Sequence, residues 1–117
     1  MIIYAKMKGI TMNNVTLIGM PGSGKSTIGV ILAKALGYQF LDTDLVIQKQ
    51  EKRKLSQIIA QEGPERFKEI ENKVNASVDV TETVIAPGGS VIYCEEAMKH
   101  LRSIGKVVYL KISLESL

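Results

Sequence analysis

Apolar residues follow two rhythms along this chain. Short, nearly unbroken apolar runs alternate with longer stretches in which apolar positions recur every three or four residues. "VTLIG" (15–19) is a β-branched run ended by glycine and predicts a buried strand. After a glycine-rich stretch, Ile28, Ile31, Leu32 and Ala35 fall at helical spacing and predict a helix over 25–36, capped at Gly37. "YQFLD" (38–42) reads as a second strand, and "TDLVIQKQEKRK" (43–54) as a helix starting near Thr43 or Asp44. "SQIIAQEG" (56–63) predicts a further helix closed at Gly63. Pro64 opens another, "PERFKEIENKVNASV", with Phe67, Ile70 and Val74 on one face. "TVIA" (83–86) is a third strand stopped by "PGGS", "CEEAMKHLRSIG" (94–105) is a helix, and "KVVYLKIS" (106–113) is a fourth strand.

Strands separated by helices imply right-handed crossovers and a parallel sheet, an α/β fold. The strands are apolar rather than alternating, as expected when helices cover both faces in a three-layer α/β/α arrangement. Ligands of such sheets collect at the carboxyl ends of the strands. Three polar signatures fall there: the glycine loop after strand one, "DTD" after strand two and "PGGS" after strand three.

The glycine loop carries the most specific chemistry. Gly19 through Ser26, "GMPGSGKS", matches G-x-x-x-x-G-K-[ST] in full. Glycines allow a tight turn with backbone N–H groups aimed at a polyphosphate, and the following helix adds its positive N-terminus. Gly22, Ser23, Gly24, Lys25, Ser26 and Thr27 are the candidate nucleotide-binding residues. Lys25 is placed to reach the β and γ phosphates, and Ser26 to offer its hydroxyl to Mg²⁺. Asp42 and Asp44 flank one residue just past a strand. One can face a metal's water shell while the other orients an acceptor hydroxyl and takes its proton. Helix capping is the competing role for this pair. Gly88 and Gly89 permit close approach to a ligand, and Lys68 is a candidate for holding an anionic substrate.

Composition changes this picture little. The chain has 117 residues, 45% hydrophobic and 23% charged, with net charge +3. That is the profile of one ordinary globular domain. The basic run "KRK" (52–54) reads as a solvated helix face, and no nucleic-acid partner is expected. The one cysteine, Cys94, cannot form an internal disulfide, which fits a cytoplasmic setting, and reads as an ordinary buried thiol. His100 reads as a surface residue. Residues 1–11 lack the apolar core of a signal peptide, and no membrane partner is expected. Met12 precedes the first strand, so 1–11 read as an extension and 12–117 as the core.

"GMPGSGKST", "FLDTD", "ERFKEIE", "VIAPGG" and "VVYLKIS" together resemble, in order, the motifs of the shikimate kinase family. The resemblance runs from about Met12 to the last residue and implies a P-loop kinase fold. It implies transfer of the γ-phosphate of ATP to the 3-hydroxyl of shikimate, with Mg²⁺, in aromatic amino-acid biosynthesis. By position, Lys25 and Asp44 resemble catalytic residues, Ser26 and Asp42 the metal-binding pair, and Asp44, Lys68, Gly88 and Gly89 the acceptor contacts. Lys68 stands where the family pattern F-R-x-x-E has arginine, with Glu71 retained, and Ser90 where a third glycine is usual. Lysine lacks the bidentate fork of arginine. Both departures fall on the acceptor side. They keep open a related kinase with another hydroxyl acceptor, although paired acids disfavour a nucleotide acceptor. The resemblance further implies a lid, a strand and a closing helix after "SLESL". Without them, the expectation is a nucleotide-binding fragment with weak or absent transfer, and a bare sheet edge at "VVYLKIS" open to self-association.

Overall fold

The computed structural model describes residues 13–19 and 25–110. Expectations for 1–12, for the loop residues Gly22, Ser23 and Gly24, and for 111–117 lie outside the described residues. The elements are β1 (Asn14–Gly19), α1 (Lys25–Leu36), β2 (Gln39–Asp42), α2 (Thr43–Glu51), α3 (Leu55–Ala76), β3 (Thr83–Ala86), a 3₁₀ turn (Gly89–Tyr93), α4 (Glu95–Ser103) and β4 (Gly105–Leu110).

The strands form one parallel sheet in the order β2-β3-β1-β4. β1 and β3 are buried along their whole length, as their mainly apolar sequences favour, with Asn14, Thr16 and Thr83 as buried polar exceptions. β2 and β4 flank them and are half-buried. Alternation along the strands feeds two cores. Val15, Leu17 and Val84 meet Leu32 and Ala33 of α1 on one face. Ile18 and Ile85 meet Ala97, Met98 and Leu101 of α4 on the other. The expected three layers follow from that division. A third cluster, Ile47, Ile58, Ile70 and Val74, joins α2 to α3.

The two helices expected on either side of Gly63 form a single run, α3, with a break at that residue. Gly63 has φ 86° and ψ 162°, a backbone state open to glycine, and Pro64 restarts the helix behind it. Two expectations need correction. The "KRK" run is not a helix face, because α2 stops at Glu51 and Lys52 turns left-handed, with φ 56°. Arg53 instead pairs with Glu51 and Glu62, tying the end of α2 to the first half of α3. His100 is not a simple surface residue. It is half-buried, and its Nε2 lies 2.6 Å from the Val78 carbonyl, bolting α4 to the segment after α3. No helix among the described residues is long and apolar enough to cross a membrane.

Candidate active site

The sheet order sets β3 between β2 and β1, so the carboxyl ends of these strands are neighbours. Register keeps β2 and β3 level there, with Asp42 opposite Ala86. Each strand then hands its chain to a polar segment at the same edge.

Beyond β1, Lys25 opens α1, and its Nζ donates to the Gly19 carbonyl at 3.0 Å. The ammonium thus folds back over the strand end. Its positive charge also reaches Asp44, where it opposes the larger upward push on that carboxyl from burial and the neighbouring acids. Ser26 and Thr27 occupy the exposed first turn of α1. Gly29, one turn on, sits against Phe40, and a side chain there would collide with that ring. This close packing fixes α1 against β2.

Beyond β2, Asp42 caps α2 by accepting the Asp44 N–H at 2.9 Å. The capping role weighed from sequence is therefore real for Asp42. It leaves the carboxylate of Asp44 for other work. Asp44 Oδ1 is buried and has no hydrogen-bond partner. Burial, then the charges of Asp42 and Glu71, push its pKa up from 3.8 to about 6, against the opposing pull of Lys25.

Beyond β3, the chain passes through Pro87 to Gly88 and enters the 3₁₀ turn. Gly88 is where the acids meet. A Cβ placed there would lie 2.4 Å from Glu71 Oε2 and 2.9 Å from Asp44 Oδ1. Glycine is needed here for space, since its φ is an ordinary −62°. Gly89 is exposed at the start of the turn.

Glu71 is the residue that sequence reasoning undervalued. It is 1% exposed, and Ser90 Oγ donates to its Oε1 at 2.5 Å. The signal was present. Glu71 falls four residues after Phe67 and three before Val74, on the apolar face of α3. A carboxylate on such a face calls for a specific partner.

Lys68 is not drawn into this cluster. Its ammonium lies 6.0 Å from the centre of the Tyr93 ring. It borders a hollow of about 170 Å³ with Glu65, Glu69 and Glu95 on its rim. Cys94 is buried nearby, and burial followed by the charge of Glu71 pushes its thiol pKa up. A thiol held protonated is a poor nucleophile, in keeping with its expected passive role. Of the candidate residues, the structure brings together Lys25, Asp42, Asp44 and Gly88, adds Glu71 and Ser90, and sets Lys68 to one side.

A family model described as shikimate kinase matches residues 21–117. The shikimate kinase of Moorella thermoacetica is 41% identical over 104 residues, covering 88% of this chain and 60% of that protein. Shikimate kinase 2 of Serratia proteamaculans is 41% identical over 101 residues, covering 86% of this chain and 58% of that protein. Among solved structures, the Acinetobacter baumannii shikimate kinase in complex with shikimate superposes with a TM-score of 0.81 at 34% identity. That match covers 92% of this chain and 60% of the other. The chain thus spans about 60% of the length of these relatives. Motif, sheet order and both kinds of similarity agree, and the chain belongs to the shikimate kinase family.

Proposed function

We propose that this chain supplies the nucleotide-phosphate and acceptor sites of a kinase that moves the γ-phosphate of ATP to the 3-hydroxyl of shikimate. The observation that carries it is the buried, unpartnered Asp44 Oδ1 facing Gly88 beside Glu71. An acceptor atom of that kind is satisfied by an O–H donor. Two carboxylates on one side favour a ligand rich in hydroxyls and repel a phosphorylated acceptor.

Asp44 orients the acceptor hydroxyl and takes its proton as the phosphoryl group arrives. A pKa near 6 suits that task near neutral pH, where the group is ionised yet basic enough to accept a proton. Lys25 neutralises the β and γ phosphates. The loop N–H groups of Gly22, Ser23 and Gly24, with the hydroxyl of Thr27, cradle the same phosphates.

The donor set also fits Mg²⁺. No group of three or more His, Cys, Asp or Glu side chains forms a metal cage among the described residues. Mg²⁺ characteristically takes one or two protein ligands and fills its shell with water and phosphate. Ser26 and Asp42 would hold it, and when bound it supplies charge neutralisation on the transferring phosphate. Lys68 would leave Tyr93 to meet the carboxylate of shikimate, with Gly89 offering its backbone. Function in the cytoplasm, and self-association through the β4 edge, belong to the same proposal.

The test is ADP release from Mg-ATP with and without shikimate. Release stimulated by shikimate and lost in Lys25→Ala supports the proposal. Nucleotide binding without stimulation leaves a phosphate-binding core and refutes shikimate as acceptor for this chain. Stimulation by a different hydroxyl compound alone identifies a related kinase.

A further inference from the structure

We infer that Ser90 is a positioning residue of the acceptor site, holding Glu71 so that its second oxygen faces Gly88 alongside Asp44 Oδ1. The inference rests on the function proposed above. Glu71 is a carboxylate 1% exposed, and burial of that kind is unfavourable unless the group finds strong donors. No ion pair to it forms among the described residues, where the salt bridges all belong to Arg53 and Arg66. Lys68, three residues earlier on the same helix, is the natural cation for it. Its ammonium instead lies over the Tyr93 ring.

What meets Glu71 is a hydroxyl. Ser90 Oγ donates to Oε1 at 2.5 Å, while the Cys94 thiol reaches the same oxygen only at 3.8 Å. A hydroxyl bonded to a charged acceptor is a strong interaction, and a thiol is a weak donor. Ser90 is itself held firmly. It belongs to the 3₁₀ turn, which is closed by Val91 N–H donating to Gly88 O at 3.2 Å and Cys94 N–H to Val91 O at 2.8 Å. One oxygen of Glu71 is therefore pinned by the turn. The other is left against the bare Cα of Gly88, where Asp44 Oδ1 also points.

The consequence is selective. Without the Ser90 hydroxyl, Glu71 loses its orientation, and the two-carboxylate face that receives hydroxyl groups loses one member. Nothing on the Lys25 side depends on that bond. Ser90 thus tunes acceptor affinity and leaves nucleotide affinity alone.

Ser90→Ala and Ser90→Thr, compared by calorimetric binding of shikimate and of Mg-ATP, test this. The expected result is shikimate affinity about tenfold weaker in Ser90→Ala, as for a lost bond to a charged group, with Mg-ATP affinity kept. Ser90→Thr, which retains the hydroxyl, should bind both as the parent does. The inference is overturned if Ser90→Ala keeps its shikimate affinity, if it weakens both ligands alike, or if Ser90→Thr is as weak as alanine. If the parent chain itself binds no shikimate, the function proposed above has failed, and a stability cycle decides on Ser90. Ser90→Ala, Glu71→Gln and the double variant are then unfolded in denaturant. Coupling between the two changes supports the part of the inference that Ser90 holds Glu71, and simple additivity overturns the inference.

Discussion

The two ends of this sheet use polar residues in opposite ways. At the amino end, Asn14 is fully buried, and both its amide hydrogens and its side-chain oxygen are hydrogen-bonded. Its Nδ2 donates to the carbonyls of Val80 at 2.8 Å and Ile104 at 3.0 Å, and its Oδ1 accepts from the Thr83 N–H at 3.0 Å. One side chain thereby stitches β1 to the segments entering β3 and β4. At the carboxyl end, Asp42, Asp44 and Glu71 crowd together with like charge, and Asp44 Oδ1 has no partner. The first arrangement lowers the energy of the fold. The second raises it, and such local expense is characteristic of a surface kept ready for a ligand.

That contrast makes unequal demands on mutants. The largest effect is expected from Lys25→Ala, the cation beside the acids. Removing a charge that stabilises a transferring phosphate should slow shikimate-stimulated ADP release on the order of 10²–10³-fold, with little change in unfolding. A comparable loss of stability in the same variant would break the assignment of Lys25 to function. Asn14→Ala should behave in the opposite sense. It strands three backbone groups and should cost about 3 kcal/mol in denaturant unfolding. Whatever folded protein remains should keep its nucleotide affinity. A selective loss of ligand binding in Asn14→Ala would erase the distinction between the two ends.

Gly88→Ala sits between these extremes. Its methyl would meet Glu71 Oε2 at 2.4 Å and Asp44 Oδ1 at 2.9 Å, so one or both carboxylates must move. Overpacking of this kind should cost about 1–3 kcal/mol, and it should abolish shikimate binding before it affects Mg-ATP. Calorimetry with each ligand separates the two. Equal loss of both would show that the acceptor and phosphate sites are not independent.

How much of this was visible in the chain follows from distance along it. The phosphate loop is legible because its glycines, lysine and hydroxyl are contiguous, and the strand before and helix after are strongly patterned. The acceptor side is assembled from residues 42–44, 68–71 and 88–90, and no spacing rule links them. "DTD" and "PGG" announced a strand end, but their meeting at Gly88 depends on β3 lying next to β2, which sequence order does not reveal. Glu71 was legible only as the retained acid of "FKEIE", because its partner Ser90 lies 19 residues away along the chain. Asn14 was hidden, since a polar residue at the lip of "VTLIG" looks like the edge of a strand. "KRK" is solvated at Lys52 and Lys54 as expected but lies past the helix end, and His100 was misread because an imidazole looks solvated until a tertiary partner is known. Arg53 found Glu62 and His100 found the Val78 carbonyl, both beyond the reach of local pattern.

The smallest expected effect gives the most direct reading of the strain at the carboxyl end. Asp44 has a pKa of about 6 when folded, against 3.8 as its ordinary value. Below pH 4 the group is protonated in both states and costs nothing. Between pH 4 and 6 the unfolded chain releases the proton while the folded chain retains it, so stability falls as pH rises. Above pH 6 both states are ionised and the loss is complete. Asp44→Asn removes this dependence. Because the group is only partly buried, solvent screening cuts its contribution, and the gain for Asp44→Asn at pH 8 should be about 1 kcal/mol. The two proteins should unfold alike at pH 4, and the gap should open across pH 4–6. The same variant should lose transfer activity, being more stable and less able to accept a proton. A gap that is constant with pH would mean that Asp44 is not strained by its neighbours. The carboxyl end of the sheet would then be as relaxed as the amino end.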